Sequence, residues 1–222
     1  GALDVVPFVP LPGLAGRATM ADAIAAAERF GRELARRFAV PVFLYEKAAR
    51  VAERAPLPAV RSGGVEGLAA RIGTAGWIPE FGPTVLHPSA GAAVVGARKI
   101  LVAYNVVLDT EDVSIAHAVA RALRATSEGG LPAVRAIGVS LARKGRAQVS
   151  LNLLDYEITS MSAAFERLRM EAESRGATPI ASELVGLAPR AALPSDPAAI
   201  LLPDPSEQVL ETRLAAAGFV VE

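Results

Sequence analysis

Cysteine is absent from the 222 residues of this chain, and only two histidines and one tryptophan are present. Without cysteine there is no disulfide framework and no thiolate chemistry, which fits a cytoplasmic protein. The two histidines, His87 and His117, are far apart in the sequence, and neither has a neighbouring pair of carboxylates. They do not form a metal-binding motif, so no metal is expected.

Charge of one sign is not in excess, because 23 basic residues balance 23 acidic ones. A nucleic-acid-binding protein usually carries a basic stripe, so no nucleic-acid partner is expected. No apolar run is long enough to span a bilayer and no signal peptide is visible, so no membrane association is expected either. About half of the residues are apolar, which is enough for a sizeable core.

Common catalytic motifs are also missing. There is no glycine-rich phosphate loop followed by Lys and Ser or Thr, and no nucleophile elbow around a serine. A strand rather than a helix is predicted after Gly91 and Gly96, which does not support a dinucleotide fingerprint. The motifs alone therefore indicate no reaction class.

The stretch from Trp77 to Lys99 is the most informative one. Three prolines and three glycines interrupt any helical pattern, yet the stretch is apolar and carries almost no charge before Arg98. It is too apolar for disorder, so we predict an ordered, irregular segment whose backbone groups need partners. Two interpretations remain open: a site for a flat, partly polar ligand, or a loop that only covers the core.

The residues before this stretch predict one long amphipathic helix and a few short elements. Thr19 and Asp22 have the spacing of a capping box, and apolar residues recur at helical spacing as far as Phe38. Two short strands and one short helix are predicted at Leu3–Phe8, Val40–Tyr45 and Val65–Ile72, respectively. Because the chain starts inside a strand and without methionine, we expect it to be the remainder of a longer polypeptide.

After the irregular stretch the predicted order is β-α-β-β-α-β. The elements are a strand at Ile100–Leu108, a helix capped by Thr110, a hairpin of Val134–Leu141 and Gln148–Leu154, a helix capped by Ser160, a strand at Pro179–Leu187 and a further helix near Ser206–Ala217. This order is that of the ferredoxin-like split βαβ arrangement. We therefore predict an α+β fold with two β-sheet subdomains, residues 1–95 and 96–222, each with helices packed on one face.

Polar residues interrupt several predicted strands, namely Asp4, Asn105, Asn152, Asp155 and Glu183. A buried polar group needs a partner, so each of these either bonds the nearby backbone or belongs to a functional site. Both interpretations are open for Asp155. Apolar neighbours flank Asn105 and Glu183, and this favours a specific partner or a functional role for them.

Blocks of unusual composition occur in a fixed order along nearly the whole chain. They are Gly1–Pro10; Val40–Glu46 with Ala48 and Ala49; Leu57 and Pro58 with Arg61 and Gly63; Trp77, Pro79 and Phe81–Pro83; Gly91 and Ala92; Gly96–Lys99 and Asn105; Gln148–Ser150 with Asn152 and Leu153; and Glu183 with Val185–Leu187 and Pro189. Together these blocks resemble those of the glutamate formimidoyltransferase family.

The resemblance implies a reaction and a ligand. The family transfers the formimino group of N-formimino-L-glutamate to N5 of tetrahydrofolate, its co-substrate, in histidine degradation and one-carbon metabolism. It further implies a cytoplasmic homodimer whose folate lies in a tunnel between two subdomains. The family's folate-contacting stretch aligns with Ile78, Pro79, Glu80, Phe81, Gly82, Pro83, Thr84, Val85, Leu86 and His87. In this stretch, Phe81 would offer its face to the pterin, and Gly82 would let the backbone approach it.

One part of the family's pattern has no match here. In the family, a His-Pro-Arg stretch directly precedes the block that corresponds to Gly1, and its histidine is the general base that takes the proton from N5. His87 lies in the folate stretch and is not a substitute, so no catalytic residue is assigned in this chain. Asp4 is a candidate to orient such a base or to pair with the cationic amidine.

The resemblance therefore implies a transferase whose catalytic histidine is not in this chain, which alone should show little or no transfer. Two alternatives remain: a non-catalytic folate-binding remnant, or one half of a split transferase that a separate chain completes by strand addition.

Overall fold

The computed structural model describes residues 5–11 and 18–221. These residues form two compact units, and the division falls between Lys99 and Ile100. The predicted boundary between residues 95 and 96 lies inside a strand, Ala93–Ala97. No helix in the described part of the chain is both long and apolar enough to cross a membrane.

The first unit contains a three-stranded parallel sheet. Its strands are β1 (Val5–Phe8), β2 (Val42–Glu46) and β3 (Ala93–Ala97), in the order β1-β3-β2. Helix α1 (Met20–Phe38) lies between β1 and β2 in the chain, and the short helices α2 (Leu57–Arg61) and α3 (Gly64–Arg71) lie between β2 and β3. The central strand of a parallel sheet is covered on both faces, and accordingly all five residues of β3 are buried.

Helix α1 begins where the capping pattern predicts. The Asp22 amide donates to Oγ1 of Thr19 at 3.2 Å, and the Thr19 amide donates to Oδ2 of Asp22 at 2.8 Å. Two of the four unpaired amides of the first turn are satisfied in this way. The predicted capping box is therefore confirmed.

Helices cover both faces of the first sheet. Leu34 of α1 packs with Leu44 and Val95 on one face. On the other face, α2 and α3 supply Val60 and Leu68, which pack with Phe43, Tyr45 and Val94. The sequence predicted helices on one face of this sheet, whereas the structure has helices on both faces.

Strand β3 corrects one sequence-based expectation. We predicted an irregular segment from Trp77 to Lys99, but its last part is the central strand of the sheet. The strand has only five residues, two of them alanine and one glycine, and it shows no alternation because neither face is exposed. Its sequence pattern is therefore also typical of a loop that contains a few apolar residues.

The second unit confirms the ferredoxin-like arrangement. Its elements are β4 (Val102–Leu108), α4 (Val113–Leu123), β5 (Val134–Leu141), β6 (Arg146–Leu153), α5 (Met161–Glu173) and β7 (Pro179–Val185), followed by a shorter helix, α6 (Leu210–Ala216). The sheet is antiparallel throughout, with the order β5-β6-β4-β7. The α+β class with two β-sheet subdomains is confirmed.

One face of the second sheet forms the core of this unit. Tyr104, Val106 and Leu108 of β4 alternate with less buried residues and pack with α4 and α5. Ser160 caps α5 as predicted, because its Oγ accepts the Ala163 amide at 3.2 Å. The predicted cap of α4 was wrong, because the N-cap is Asp112, whose Oδ1 accepts the Ser114 amide at 2.8 Å. Thr110 lies two residues before this N-cap, and its Oγ1 accepts the Asp112 amide.

Candidate functional site: an anchored segment beside a pocket

The predicted folate segment, residues 78–87, runs along the outer edge of β2. The Val42 amide donates to the Phe81 carbonyl oxygen at 2.9 Å, and the Glu80 amide donates to the Val42 carbonyl oxygen at 2.9 Å. These two bonds form an antiparallel bridge beside an otherwise parallel sheet. They satisfy polar groups that an edge strand would leave unpaired.

A buried ion pair fixes the first part of the segment. The Arg54 guanidinium donates through Nη2 to Oε1 of Glu80 and through Nη1 to the Ile78 carbonyl oxygen at 3.1 Å. The Leu44 amide donates to Oε2 of Glu80 at 2.9 Å. Only 2% of the Arg54 side chain and 5% of the Glu80 side chain are exposed. Sequence reasoning missed Arg54, because nothing near it in the chain indicates a partner 26 residues away.

Phe81 packs within the first unit. A Cβ atom added at Gly31 of α1 would lie 3.1 Å from the ring, which shows how closely the ring approaches that helix. The guanidinium carbons of Arg32 and Arg50 lie 4.7 and 5.6 Å from the ring centroid, within the range of cation–π contacts. The ring thus has neighbours inside the protein, whereas the resemblance suggested that it faces a ligand.

Gly82 also serves the fold of this unit. Its φ is +90°, and a Cβ atom there would lie 2.7 Å from the Val40 carbonyl oxygen and 3.2 Å from the Cα atom of Pro41. Both the conformation and the space therefore require glycine. The close approach that we predicted at this residue occurs, but its partner is the Val40–Pro41 backbone. Pro79, three residues earlier, is buried.

The second part of the segment is more exposed. Thr84 is exposed, 63% of Val85 is exposed, and Pro83 is half-buried. Leu86 contributes to a pocket of about 200 Å³, which the helices α2 and α3 and strand β3 also line. Its other lining residues are Val60, Arg61, Gly64, Val65, Leu68, Ala90, Ala92 and Val94. The pocket is mostly apolar, and Arg61 brings a cationic group to it.

Ile78 and His87 mark the two ends of the segment. Ile78 is 57% exposed, although its carbonyl oxygen is bound to Arg54. His87 and Gly91 exchange two backbone hydrogen bonds, at 2.8 and 2.9 Å, and Nδ1 of His87 accepts the Ala90 amide at 3.0 Å. The imidazole therefore stabilises this tight turn.

Trp77 lies next to the pocket. It packs with Leu86, Val60 and Leu68 in one apolar cluster, and its ring centroid is 6.2 Å from that of Phe43. The guanidinium carbon of Arg71 lies 3.8 Å from the Trp77 ring centroid. Since this is the chain's one tryptophan, its fluorescence should report on events in the pocket.

The polar strand residues of the second unit have partners or are exposed. Nδ2 of Asn105 donates to Oε1 of Glu183 at 2.8 Å on the face of the sheet away from the core. Oδ1 of Asp155 accepts the Glu157 amide at 3.2 Å, which is a local backbone bond. Asn152 is exposed, and Asp4 lies outside the described residues.

His117 is exposed on α4. Within residues 5–11 and 18–221, no group of three or more His, Asp or Glu side chains is arranged to hold a metal ion.

Comparison with known sequences gives two matches in tandem. Residues 1–98 match the N-terminal subdomain of the formiminotransferase domain, and residues 103–210 match the formiminotransferase domain. The gap between these matches contains the division between the two units of the structure.

Curated relatives agree with this assignment. The chain is 42% identical to a glutamate formimidoyltransferase of Streptococcus pyogenes serotype M1 over 193 residues, which is 87% of this chain and 63% of that protein. It is 44% identical to a formimidoyltransferase-cyclodeaminase of Sus scrofa over 199 residues, 87% of this chain and 36% of that protein. A glutamate formimidoyltransferase of Thermoplasma acidophilum is 39% identical, with 62% of its length covered.

The chain thus spans less than two thirds of each of these relatives. Within that span, the two matches account for almost all of its residues in the order of the two structural units. The chain belongs to the formiminotransferase family.

Proposed function

We propose that this chain provides the folate-binding part of a glutamate formimidoyltransferase. In the proposed reaction, N5 of tetrahydrofolate attacks the amidine carbon of N-formimino-L-glutamate and loses its proton to a base. The bond from that carbon to the glutamate nitrogen then breaks, and the nitrogen takes up a proton. The products are 5-formiminotetrahydrofolate and L-glutamate. The observation that carries the proposal is the identity of 42% to a glutamate formimidoyltransferase over 87% of the chain.

We place the folate along the exposed part of residues 78–87, with one ring system at the pocket that Leu86 lines. Val60, Leu68 and Val94 offer apolar contact there, and Arg61 offers a cation for an anionic group of the ligand. At about 200 Å³ the pocket is smaller than a typical drug-sized site, so it would hold only one part of the folate.

The general base is proposed to come from outside the 222 residues. A base with a pKa near neutrality suits removal of the proton from N5, and neither histidine of this chain is assigned to that task. Asp4 is proposed to support the base or to pair with the amidine. In a complete enzyme, Asp4→Asn should lower turnover sharply while leaving tetrahydrofolate binding unchanged, and unchanged turnover would remove Asp4 from the proposal.

The test separates binding from turnover. We expect the 222-residue chain to bind tetrahydrofolate, measured by calorimetry and by quenching of Trp77 fluorescence, and to form little or no 5-formiminotetrahydrofolate. Co-expression with the His-Pro-Arg-containing segment of a glutamate formimidoyltransferase should restore transfer.

The other outcomes distinguish the alternatives. Absence of tetrahydrofolate binding contradicts the proposed function, and transfer by the chain alone contradicts the assignment of the base. Binding with no transfer in the presence of the added segment favours the non-catalytic remnant. Restoration by a separately expressed segment would show that a split transferase is workable.

Family resemblance also leads us to propose a cytoplasmic homodimer. Light scattering after size-exclusion chromatography measures the mass of the assembly directly. A monomer at micromolar concentration would contradict this part of the proposal.

A further inference from the structure

We infer that Glu80 is a positioning residue, which holds the folate segment in place through Arg54 and does not itself contact the ligand. The inference rests on the proposed function. It divides residues 78–87 into an anchor, Pro79–Gly82, and a ligand-facing part, Thr84–Leu86. The resemblance alone does not make this division, because the whole stretch aligns with the folate-contacting residues of the family.

Both oxygens of the Glu80 carboxylate already accept a bond from within the protein. Oε1 accepts a hydrogen bond from Arg54, and Oε2 accepts one from the Leu44 amide at 2.9 Å. Only 5% of the side chain is exposed. A buried charge is tolerated when it is paired and hydrogen-bonded, and both conditions are met here within the protein. A ligand could reach this carboxylate only if the packing that buries it were opened.

Arg54 connects this carboxylate to the start of the segment. The same guanidinium donates to the Ile78 carbonyl oxygen at 3.1 Å, and its central carbon lies 5.2 Å from the Phe43 ring centroid. Its Nε is buried without a hydrogen-bond partner, which is unfavourable for a charged group. The contacts that compensate for this burial are those with Glu80 and Ile78, so the position of Arg54 depends on the segment.

The bridge to β2 continues the anchor. The Glu80 amide and the Phe81 carbonyl oxygen both bond to Val42, and a Cβ atom at Gly82 would lie 2.7 Å from the Val40 carbonyl oxygen. These three residues, together with the buried Pro79 before them, are therefore fixed to the protein. Thr84 and Val85 come directly after them and are exposed. A shift of the anchor would move these two residues and Leu86 relative to the pocket.

The test is a double-mutant cycle on tetrahydrofolate affinity. Glu80→Gln, Arg54→Met and the double variant are made in the 222-residue chain, and the dissociation constant is measured by calorimetry below the unfolding transition. We expect each single change to weaken binding about tenfold. The double variant should bind about as weakly as the weaker single variant, because both changes remove the same coupling.

A matched control is available in the second unit. Glu171 pairs with Arg167 and Arg175, and 19% of its side chain is exposed. Glu171→Gln removes a carboxylate that pairs with two arginines of its own unit, so it should lower the free energy of unfolding without changing the affinity for tetrahydrofolate. If Glu80→Gln fails to fold, Arg54→Lys tests the same coupling, because it keeps the charge but loses the forked donor.

Hydrogen exchange at the Val42 amide gives a second readout. This amide donates to Phe81, so it should exchange faster in Glu80→Gln and Arg54→Lys than in the control. Unchanged affinity in a folded Glu80 or Arg54 variant overturns the inference. Additive losses in the double variant also overturn it, because they indicate that Glu80 contacts the ligand independently of Arg54. Absence of binding by the unmodified chain overturns the proposed function, and the positioning role with it.

Discussion

The two sheets of this chain differ in the burial of consecutive residues along a strand. In β2 of the first sheet, Phe43 and Leu44 are consecutive and both fully buried, because each faces a different set of helices. In β4 of the second sheet, Tyr104 is fully buried while the next residue, Asn105, pairs with Glu183 on the face away from the core. In the first sheet, the candidate segment lies along the edge strand β2.

The largest expected effect tests the two-sided burial of the first sheet. Phe43→Ala and Leu44→Ala should each lower the free energy of unfolding by about 3 kcal/mol, because each leaves a cavity in a separate core. Urea denaturation measures both values. A near-neutral result for either variant would show that one face of this sheet is open.

A similar pair of substitutions tests the one-sided burial of the second sheet. Leu151→Ala should cost about 3 kcal/mol, because this β6 side chain is 1% exposed. Ile137 belongs to β5 and lies on the other face of the same sheet, where it is 57% exposed. Ile137→Ala should therefore lower the free energy of unfolding by less than about 1 kcal/mol. Equal costs for these two variants would contradict the difference between the faces.

A further expected effect is a pH dependence of the second unit above about pH 10. Burial raises the pKa of the Tyr104 hydroxyl well above its usual value, and this outweighs the opposite effect of its hydrogen bond with Ser182. Because the folded-state pKa is the higher one, the stabilisation is complete below about pH 10 and is lost as the pH rises further.

We therefore expect the free energy of unfolding to fall by up to about 1.4 kcal/mol per pH unit above pH 10. Tyr104→Phe serves as the reference, because it lacks the titrating hydroxyl. Urea denaturation at several alkaline pH values should give a steeper decline for the unmodified chain than for this variant. Parallel declines would contradict the raised pKa.

The difference between the sheets also explains what the sequence could predict. The alternation along β4, the hairpin turn and the Ser160 cap each carry a local signal, and together they gave the correct order of elements in the second unit. Strand β3 and helix α2 were not predicted. Strand β3 shows no alternation of apolar and polar residues, because both of its faces are buried. Helix α2 begins with Leu57-Pro58, and a proline at this point is typical of a loop.

The site was predictable only in part, for a similar reason. The composition of residues 78–87 indicated an ordered segment, and the resemblance suggested its ligand. The partners of Glu80 are Arg54 and the Leu44 amide, which lie 26 and 36 residues away in the chain. No local pattern reports contacts at such a distance, so the division into an anchor and a ligand-facing part required the structure.

The tight fit at Gly82 sets the limits within which this segment can be redesigned. Any larger residue would collide with the Val40 carbonyl oxygen, so a mutagenesis library has to keep glycine at this position. Thr84 and Val85 carry no such restriction, because both residues are exposed. If the proposed function holds, diversity confined to these two residues would alter ligand selectivity on an unchanged scaffold.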